Sequence, residues 1–376
     1  MSRAAVALLW GALCCAPGAS AIAADPCRAH VEYDQIASTV TANFYDKTFR
    51  GLDWPARVAS YRRLVGCEDD EAKVALQVNR LLSELHASHT ALYTQTDMDY
   101  WALNSLFSAN DEGYPLQFAG IWPQQRDGRW YAKYVLENSP AARAGVVQGD
   151  QLLRLNGTAF TPFGFTGQLD SLTFSRGGRA PREVSLQANR QSIISAFVSS
   201  SAASRQILDA RGKRVGYFHV WTARDAILQS LKDSLAAFEA ARVDALIIDL
   251  RGGYGGTSPD YLEPLHKSTY LKSIPRYFLI DDGVRSGKEM LAAMVKRDKL
   301  GTLVGSKTAG AFLGSGPFRL FDDRYFLLLA VRGGVLPNLP PIEGVGVRPD
   351  VAVTPCRARC ASPDTELAKA LQLIGG

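Results

Sequence analysis

The sequence predicts a multidomain α/β protein with a helical first quarter, a β-rich middle and an α/β layered second half. Three observations carry that expectation. Apolar residues recur at near-helical spacing up to about residue 105. From about 114 to 188, short apolar runs are broken by Asp127-Gly128 and Asn156-Gly157. Beyond residue 205, apolar strand-like runs alternate with longer helical stretches. At 376 residues, 47% hydrophobic and 21% charged, the chain has ordinary globular composition and enough length for roughly two or three cores.

Residues 1–24 read as a signal peptide. Arg3 supplies a short basic start, Ala4 to Ala12 with Leu8, Leu9 and Trp10 form a brief apolar run, and Ala19 to Ala24 offer small-residue cleavage positions. The run is too short to span a bilayer and no later segment is longer, so stable membrane insertion is not expected. Leu13 and Cys14 stand where a lipid-attachment box at Cys14 or Cys15 would need small residues. The mature chain is therefore expected to be exported, periplasmic or secreted. Its net charge of +5 is spread without a Lys/Arg block, so no nucleic-acid partner is expected.

Export leaves Cys27, Cys67, Cys356 and Cys360 in the mature chain. An even number in an oxidising compartment suggests disulfides. Cys27–Cys67 with Cys356–Cys360 is the local pairing, and two other pairings remain open. No histidine has ligand-like spacing to these cysteines, so neither a metal nor a cofactor is expected.

Residues 25–108 form the expected N-terminal helical domain. Val40, Phe44, Val58, Tyr61 and Leu64 recur near helical spacing, and Val74, Leu76, Val78, Leu81, Leu82 and Leu85 mark a last helix with Ser88-His89 at its end. Residues 109–198 are the β-rich domain, where the Asp-Gly and Asn-Gly pairs predict hairpin turns. The serine-rich run Ser199 to Ser204 reads as a boundary or exposed loop. Residues 199–376 alternate strands (Val215 to Val220, Ala245 to Leu250, Arg276 to Ile280, Thr302 to Val304) with helices, one of them starting at Ser286.

Ser286 follows a strand and opens a helix, a corner where the helix N-terminus favours developing negative charge on a nucleophile. It also fits a capping box with Glu289, a purely structural role. Asp249 to Gly256 is a glycine-rich turn that can aim N–H groups at an oxyanion. The same turn fits a tight bend or a phosphate loop, but no Gly-Lys-Ser/Thr follows it. Ser258-Pro259 has the look of a helix start. His89 alone fits a buried histidine bonded to a carbonyl, Ser88 a helix cap, and Glu343 an ordinary loop glutamate.

Together these pieces resemble the C-terminal processing (tail-specific) protease family, in its tricorn-core-like branch. Further matches are Gly51-Leu52-Asp53-Trp54, Leu85-x-x-Ser88-His89-Thr90, Gly216-Tyr217, Asp249-x-Arg251, Val304-Gly305-x-x-Thr308-x-Gly310 and Gly346-Val347-x-Pro349-Asp350. Ser139-Pro140-Ala141-Ala142-Arg143-Ala144-Gly145 with Gly149-Asp150-Gln151-Leu152 resembles a PDZ domain. Phe118-Ala119-Gly120-Ile121 then stands at the peptide-carboxylate loop, with Phe118 replacing a usual glycine. The fold implied is a PDZ-like domain on a crotonase/ClpP-like α/β catalytic core.

In the better-known branch a lysine after Thr-x-Gly is the base. Here that place holds Ala311, which cannot take a proton. The resemblance instead implies Ser286 as nucleophile, His89 as base and Glu343, through Ser88, as orienting carboxylate. The N–H groups of Gly287 and of Gly255 or Gly256 would form the oxyanion hole. It implies a polypeptide substrate, cleaved through an acyl-enzyme and presented through its C terminus. The alternatives are a non-catalytic peptide- or ligand-binding protein derived from this scaffold, motivated by Ala311 and Phe118, and an esterase using the same triad.

Overall fold

The computed structural model describes residues 27–110, 112–256, 259–334, 338–354 and 364–376. The predicted signal peptide, Cys356, Cys360 and Ser258 lie outside these residues.

The first part packs helices α1 (Arg28–Asn43), α2 (Trp54–Arg62) and α3 (Glu71–Ser83). Asp53 and Asp70 cap α2 and α3 by accepting from Ala56 N and Lys73 N. Leu64 and Leu76 fall on solvent, 57% and 49% exposed, so not every apolar residue at helical spacing belongs to the buried stripe. The bridge Cys27–Cys67 ties the start of α1 to the α2–α3 connection.

The helical reading of this part needs one correction. A strand, β1 (Ala91–Thr94), precedes α4 (Met98–Leu106), and Ser88-His89 occupies the turn between α3 and β1 rather than a helix end. Four residues of inside-outside alternation carry little signal alone. Their partner is far away in sequence.

The middle part holds β2 (Leu116–Phe118), β3 (Ile121–Arg126), β4 (Arg129–Val135), the short α5 (Pro140–Arg143), β5 (Gln151–Leu155), β6 (Thr158–Ala159), β7 (Leu169–Ser175), β8 (Arg182–Gln187) and β9 (Asn189–Gln191). One sheet runs β3-β4-β5-β7-β8, with β6 beside β5, while β2 pairs with β9. Asp127-Gly128 and Asn156-Gly157 each have positive φ at both positions, the conformation that reverses a two-residue hairpin. Ser139 caps α5, its Oγ accepting from Ala142 N, with Pro140 at the first helical position.

Helix α6 (Ile193–Ala203) leads into the core. It contains the serine run that the sequence suggests is exposed. Ser200, Ser201 and Ser204 are instead buried: Ser200 donates to the Glu137 carbonyl, Ser201 accepts from Trp221 N, and Ser204 accepts from His219 N. Small hydroxyls let this helix approach the sheet end closely while satisfying its backbone.

The core sheet has the order β10 (Gln206–Ala210), β11 (Lys213–His219), β12 (Ala245–Asp249), β13 (Arg276–Ile280), β14 (Thr302–Gly305), β17 (Val351–Ala352), parallel from β11 onward. Its crossovers include α7 (Asp225–Ala240), α8 (Glu263–Lys267) with α9 (Thr269–Ser273), and α10 (Gly287–Arg297). Leu246 and Ile248 face one cluster with Leu231, Leu235 and Leu291. Ala245 and Ile247 face the other, with Ala370 and Ile374 of α11 (Thr365–Gly375). Burial of both faces explains why β12 is apolar without alternation.

The hairpin β15 (Gly314–Leu320) and β16 (Tyr325–Arg332), absent from the sequence reading, joins the parts. β1 pairs antiparallel with β16, Ala91 opposite Leu328 and Thr94 opposite Tyr325. Tyr325, Leu327 and Leu329 pack on the N-terminal helices, while Phe326 and Leu328 pack with Phe197 and Trp221. Each such buried side chain contributes about 2 kcal/mol. This strand carries the turn with Ser88 and His89 onto the core.

Candidate active site

Ser286 sits between β13 and α10 with φ 55 and ψ −128, a conformation that only a strained turn imposes on a residue with a side chain. It is the geometry of an exposed nucleophile on a strand-to-helix corner. Its side chain caps nothing, so the capping-box reading fails. Its N–H donates to Ala311 O at 2.8 Å. Glu289, fully buried, accepts from Thr308 Oγ1 at 2.5 Å, Gly310 N at 2.6 Å and Ala311 N at 2.7 Å. Burial raises the pKa of its carboxyl, opposed by these donors. The residue read as half of a cap therefore pins the 308–311 segment to the Ser286 helix.

The same segment holds the other side of the site. Phe312 N and Leu313 N donate to Glu343 Oε2 at 2.7 and 3.1 Å. Ser88 N donates to Glu343 Oε1 at 2.9 Å and Ser88 Oγ to Oε2 at 2.7 Å. With its proton on Glu343, Ser88 Oγ is left to accept from His89 Nδ1, 3.2 Å away. That assignment leaves Nε2 of His89 with its lone pair free, the tautomer a base requires.

Burial, reinforced by the Arg285 cation and opposed by Glu343, pushes the His89 pKa down to about 4. The imidazole is thus neutral at pH 7. His89 and Ser286 line one cavity of about 560 Å³, together with Tyr254, Gly255, Gly256 and Arg285. No hydrogen bond joins the Ser286 and His89 side chains among the described residues. The structure brings Ser88, His89 and Glu343 into a bonded chain, and of these His89 lines the same cavity as Ser286.

The glycine turn after β12 lies against the nucleophile. A Cβ on Gly255 would meet Ser286 Cβ at 2.5 Å and Gly287 N at 2.8 Å, and one on Gly287 would meet Gly256 O at 1.9 Å. Only glycines permit that approach. The Gly255 and Gly287 N–H groups have no hydrogen-bond partner among the described residues, as donors reserved for an oxyanion should not. Gly255 O is occupied, accepting from Ala223 N and Thr222 Oγ1.

Lys288, fully buried, was missed by sequence reasoning. Its Nζ donates to the carbonyls of Val220, Trp221 and Gly252, fastening the glycine turn to the end of β11. Burial pushes its pKa down to about 7, yet three carbonyl acceptors call for all three protons of the ammonium. A buried network extends further. Glu137 binds His219 Nδ1 at 2.6 Å and Trp221 Nε1 at 2.6 Å, while His219 Nε2 reaches Arg251 O at 3.0 Å. Both ring nitrogens face acceptors, so this histidine is cationic. Burial lowers its pKa, but Glu137 and Asp249 more than reverse that. Arg251 pairs with Asp249 and Asp364.

The Phe118-Ala119-Gly120-Ile121 loop lies apart from this cavity. Phe118, Ala119 and Ile121 are buried in packing, and Gly120 has φ +83, where a Cβ would strike Ser139. The Ala119 and Gly120 carbonyls accept from Ala141 N and Leu136 N. His30 lies near Cys27 and Cys67 despite its unremarkable spacing, with Nε2 2.8 Å from Val65 O.

Residues 257–353 match the family model described as Peptidase family S41. The chain is 25% identical to tricorn protease homolog 2 of Streptomyces coelicolor over 366 residues, covering 85% of this chain and 30% of that protein. It is 26% identical to the carboxyl-terminal-processing protease of Synechocystis, covering 90% of this chain and 84% of that one. The solved photosystem II D1 C-terminal processing protease superposes with a TM-score of 0.54 at 18% identity, over 93% of this chain and 97% of that one. The chain thus spans less than a third of the tricorn homologue but most of the processing protease. Residues 257–353 are similar to peptidase family S41, and the chain over most of its length to the C-terminal processing proteases.

Proposed function

We propose that the protein is an exported serine endopeptidase that cleaves unfolded or tail-presented polypeptides through an acyl-enzyme. Ser286 is the nucleophile, and His89 takes its proton and returns it to the leaving amine. Glu343, acting through Ser88, holds the imidazole tautomer and stabilises its cation. The N–H groups of Gly255 and Gly287 receive the oxyanion. The observation that carries this reading is the Glu343–Ser88–His89 chain, whose histidine lines one cavity with a strained serine in a protein with Ala311 at the lysine position. Likeness to C-terminal-processing relatives supports a polypeptide substrate, and the β-rich middle part would present or gate it. Export rests on the leader-like residues 1–24; no helix among the described residues is long and apolar enough to cross a membrane.

The test is labelling of the purified protein with a fluorophosphonate probe beside Ser286→Ala and His89→Ala. Labelling of the wild type that is lost in both variants supports the assignment. Undiminished labelling of Ser286→Ala sinks it.

A further inference from the structure

Arg285 precedes the nucleophile directly and borders two cavities, the one holding Ser286 and a neighbouring one of about 280 Å³. Among the described residues its guanidinium makes no hydrogen bond and no ion pair, and its Nε is buried without a partner. Arg285 as a whole is half-buried, but a guanidinium nitrogen cut off from water, as its Nε is, ordinarily has an acceptor in place of the one it lost. Its nearest compensation is indirect. Its guanidinium carbon lies 5.9 Å from the centre of the Tyr254 ring, and Tyr254 OH is bonded to Asp99, so that carboxylate already has a donor. Burial lowers the Arg285 pKa, while Tyr254 and Asp99 more than restore it, so the group stays charged.

The rest of the cavity repeats the sign. Arg224 and Arg332 also line it, against the single carboxylate of Asp225. A concave wall lined by three arginines, one of them (Arg224) also donating to Leu106 O, and one acid concentrates anions. An arginine presents a planar fork that fits a carboxylate through two parallel hydrogen bonds. Position adds specificity, since a group held by Arg285 lies beside the bond that Ser286 would attack.

We infer that the Ser286 cavity is a carboxylate-recognition site, with Arg285 binding an anionic group of the peptide next to the scissile bond. The substrate class is then an acidic polypeptide, whose carboxylate comes either from an Asp or Glu side chain or from a free C terminus. This inference rests on the peptidase reading for the bond that is cut, but anion binding itself requires no catalysis.

The experiment uses the full chain with Ser286→Ala, so that bound peptides are not consumed. Binding is measured by calorimetry for two sets of capped decapeptides. One set exchanges Gln for Glu at each position in turn. The other compares free with amidated C termini. The carboxylate member of at least one pair should bind roughly ten- to a hundredfold tighter, a preference that disappears with Arg285→Gln and returns in part with Arg285→Lys. A preference in the first set assigns a side chain; a preference in the second assigns the terminus. Equal affinities within every pair, no measurable binding by any member, or a preference that survives Arg285→Gln overturns the inference. If the Arg285 variants do not fold, the pairs measured on the Ser286→Ala chain still overturn the inference when their affinities are equal. Fluorophosphonate labelling separates the two claims. A labelled enzyme without carboxylate preference loses only this inference, and an unlabelled protein with the preference loses only the peptidase reading.

Discussion

Ser88 Oγ donates to Glu343 Oε2 at 2.7 Å, joining residues 255 positions apart in sequence. The carboxylate therefore reaches His89 through a hydroxyl rather than by direct contact. Glu343 also accepts from the backbone of Phe312 and Leu313, so it orients the base and fixes the loop that receives the Ser286 N–H.

That division predicts graded losses. Glu343→Gln keeps the shape but can no longer accept so many donors, and kcat should fall roughly a hundredfold or more. Ser88→Ala removes the relay and a long 3.3 Å contact from Leu313 N, which keeps Glu343 as its acceptor, so it should cost less, with little change in melting temperature. Steady-state kinetics beside thermal melts of both variants check this. A Ser88→Ala enzyme with wild-type kcat would remove the relay from the mechanism.

Gly255→Ala should silence the site without unfolding the protein. Its Cβ would lie 2.5 Å from Ser286 Cβ, so the turn or the nucleophile must shift. Misplacing one oxyanion donor costs roughly 10² to 10³ in kcat, about 3 kcal/mol, with KM nearly unchanged. A crystal structure of the variant should show the turn displaced.

The His89 pKa of about 4, below its ordinary 6.5, fixes two pH effects. As base, the histidine should be half-active near pH 4 rather than near 6.5, and activity should then stay flat towards neutrality. Arg285→Gln should move that acid limb part of the way up, since burial remains the larger cause. For stability the sign is set by the unfolded chain, which binds the proton first. The contribution is complete above pH 6.5 and is lost as pH falls towards about 4. A kcat/KM profile and denaturant titrations from pH 4 to 8 read both.

The Glu137–His219 pair acts with the opposite sign. Its folded histidine pKa lies above the ordinary 6.5, so the stabilisation is present below about pH 6.5 and lost as pH rises through the folded value. Glu137→Ala leaves the His219 cation and the Trp221 Nε1 donor buried without their acceptor, while Ser200 keeps the main-chain carbonyl. It should destabilise the protein by about 3 kcal/mol at pH 6, and by less at pH 9. Denaturant midpoints at the two pH values test the difference.

No local signature in the sequence singles out Ser88, His89, Ser286 or Glu343, each of which also fits a structural role; only their order along the chain, with Ala311 at the lysine position, makes them a candidate set through the family resemblance. Hairpin turns at Asp127-Gly128 and Asn156-Gly157 were legible locally, since positive φ at two successive residues demands those residue types. Less visible was what depends on distant partners. β1 is four residues that mean strand only beside β16, and the buried serines of α6 look like a linker until β11 supplies their partners. Glu289 matched a cap by spacing, yet the fold uses it to hold 308–311. Lys288 and Arg285 are ordinary basic residues in the sequence; only packing buries one among three carbonyls and leaves the other, among the described residues, without a hydrogen-bond partner beside the cavity. Local sequence determined turns, caps and the inventory of reactive groups, because these depend on backbone preferences and side-chain chemistry within a few residues. Tertiary structure alone decided which groups are desolvated and what faces them, and from those two conditions come the neutral His89, the cationic His219 and the open guanidinium of Arg285.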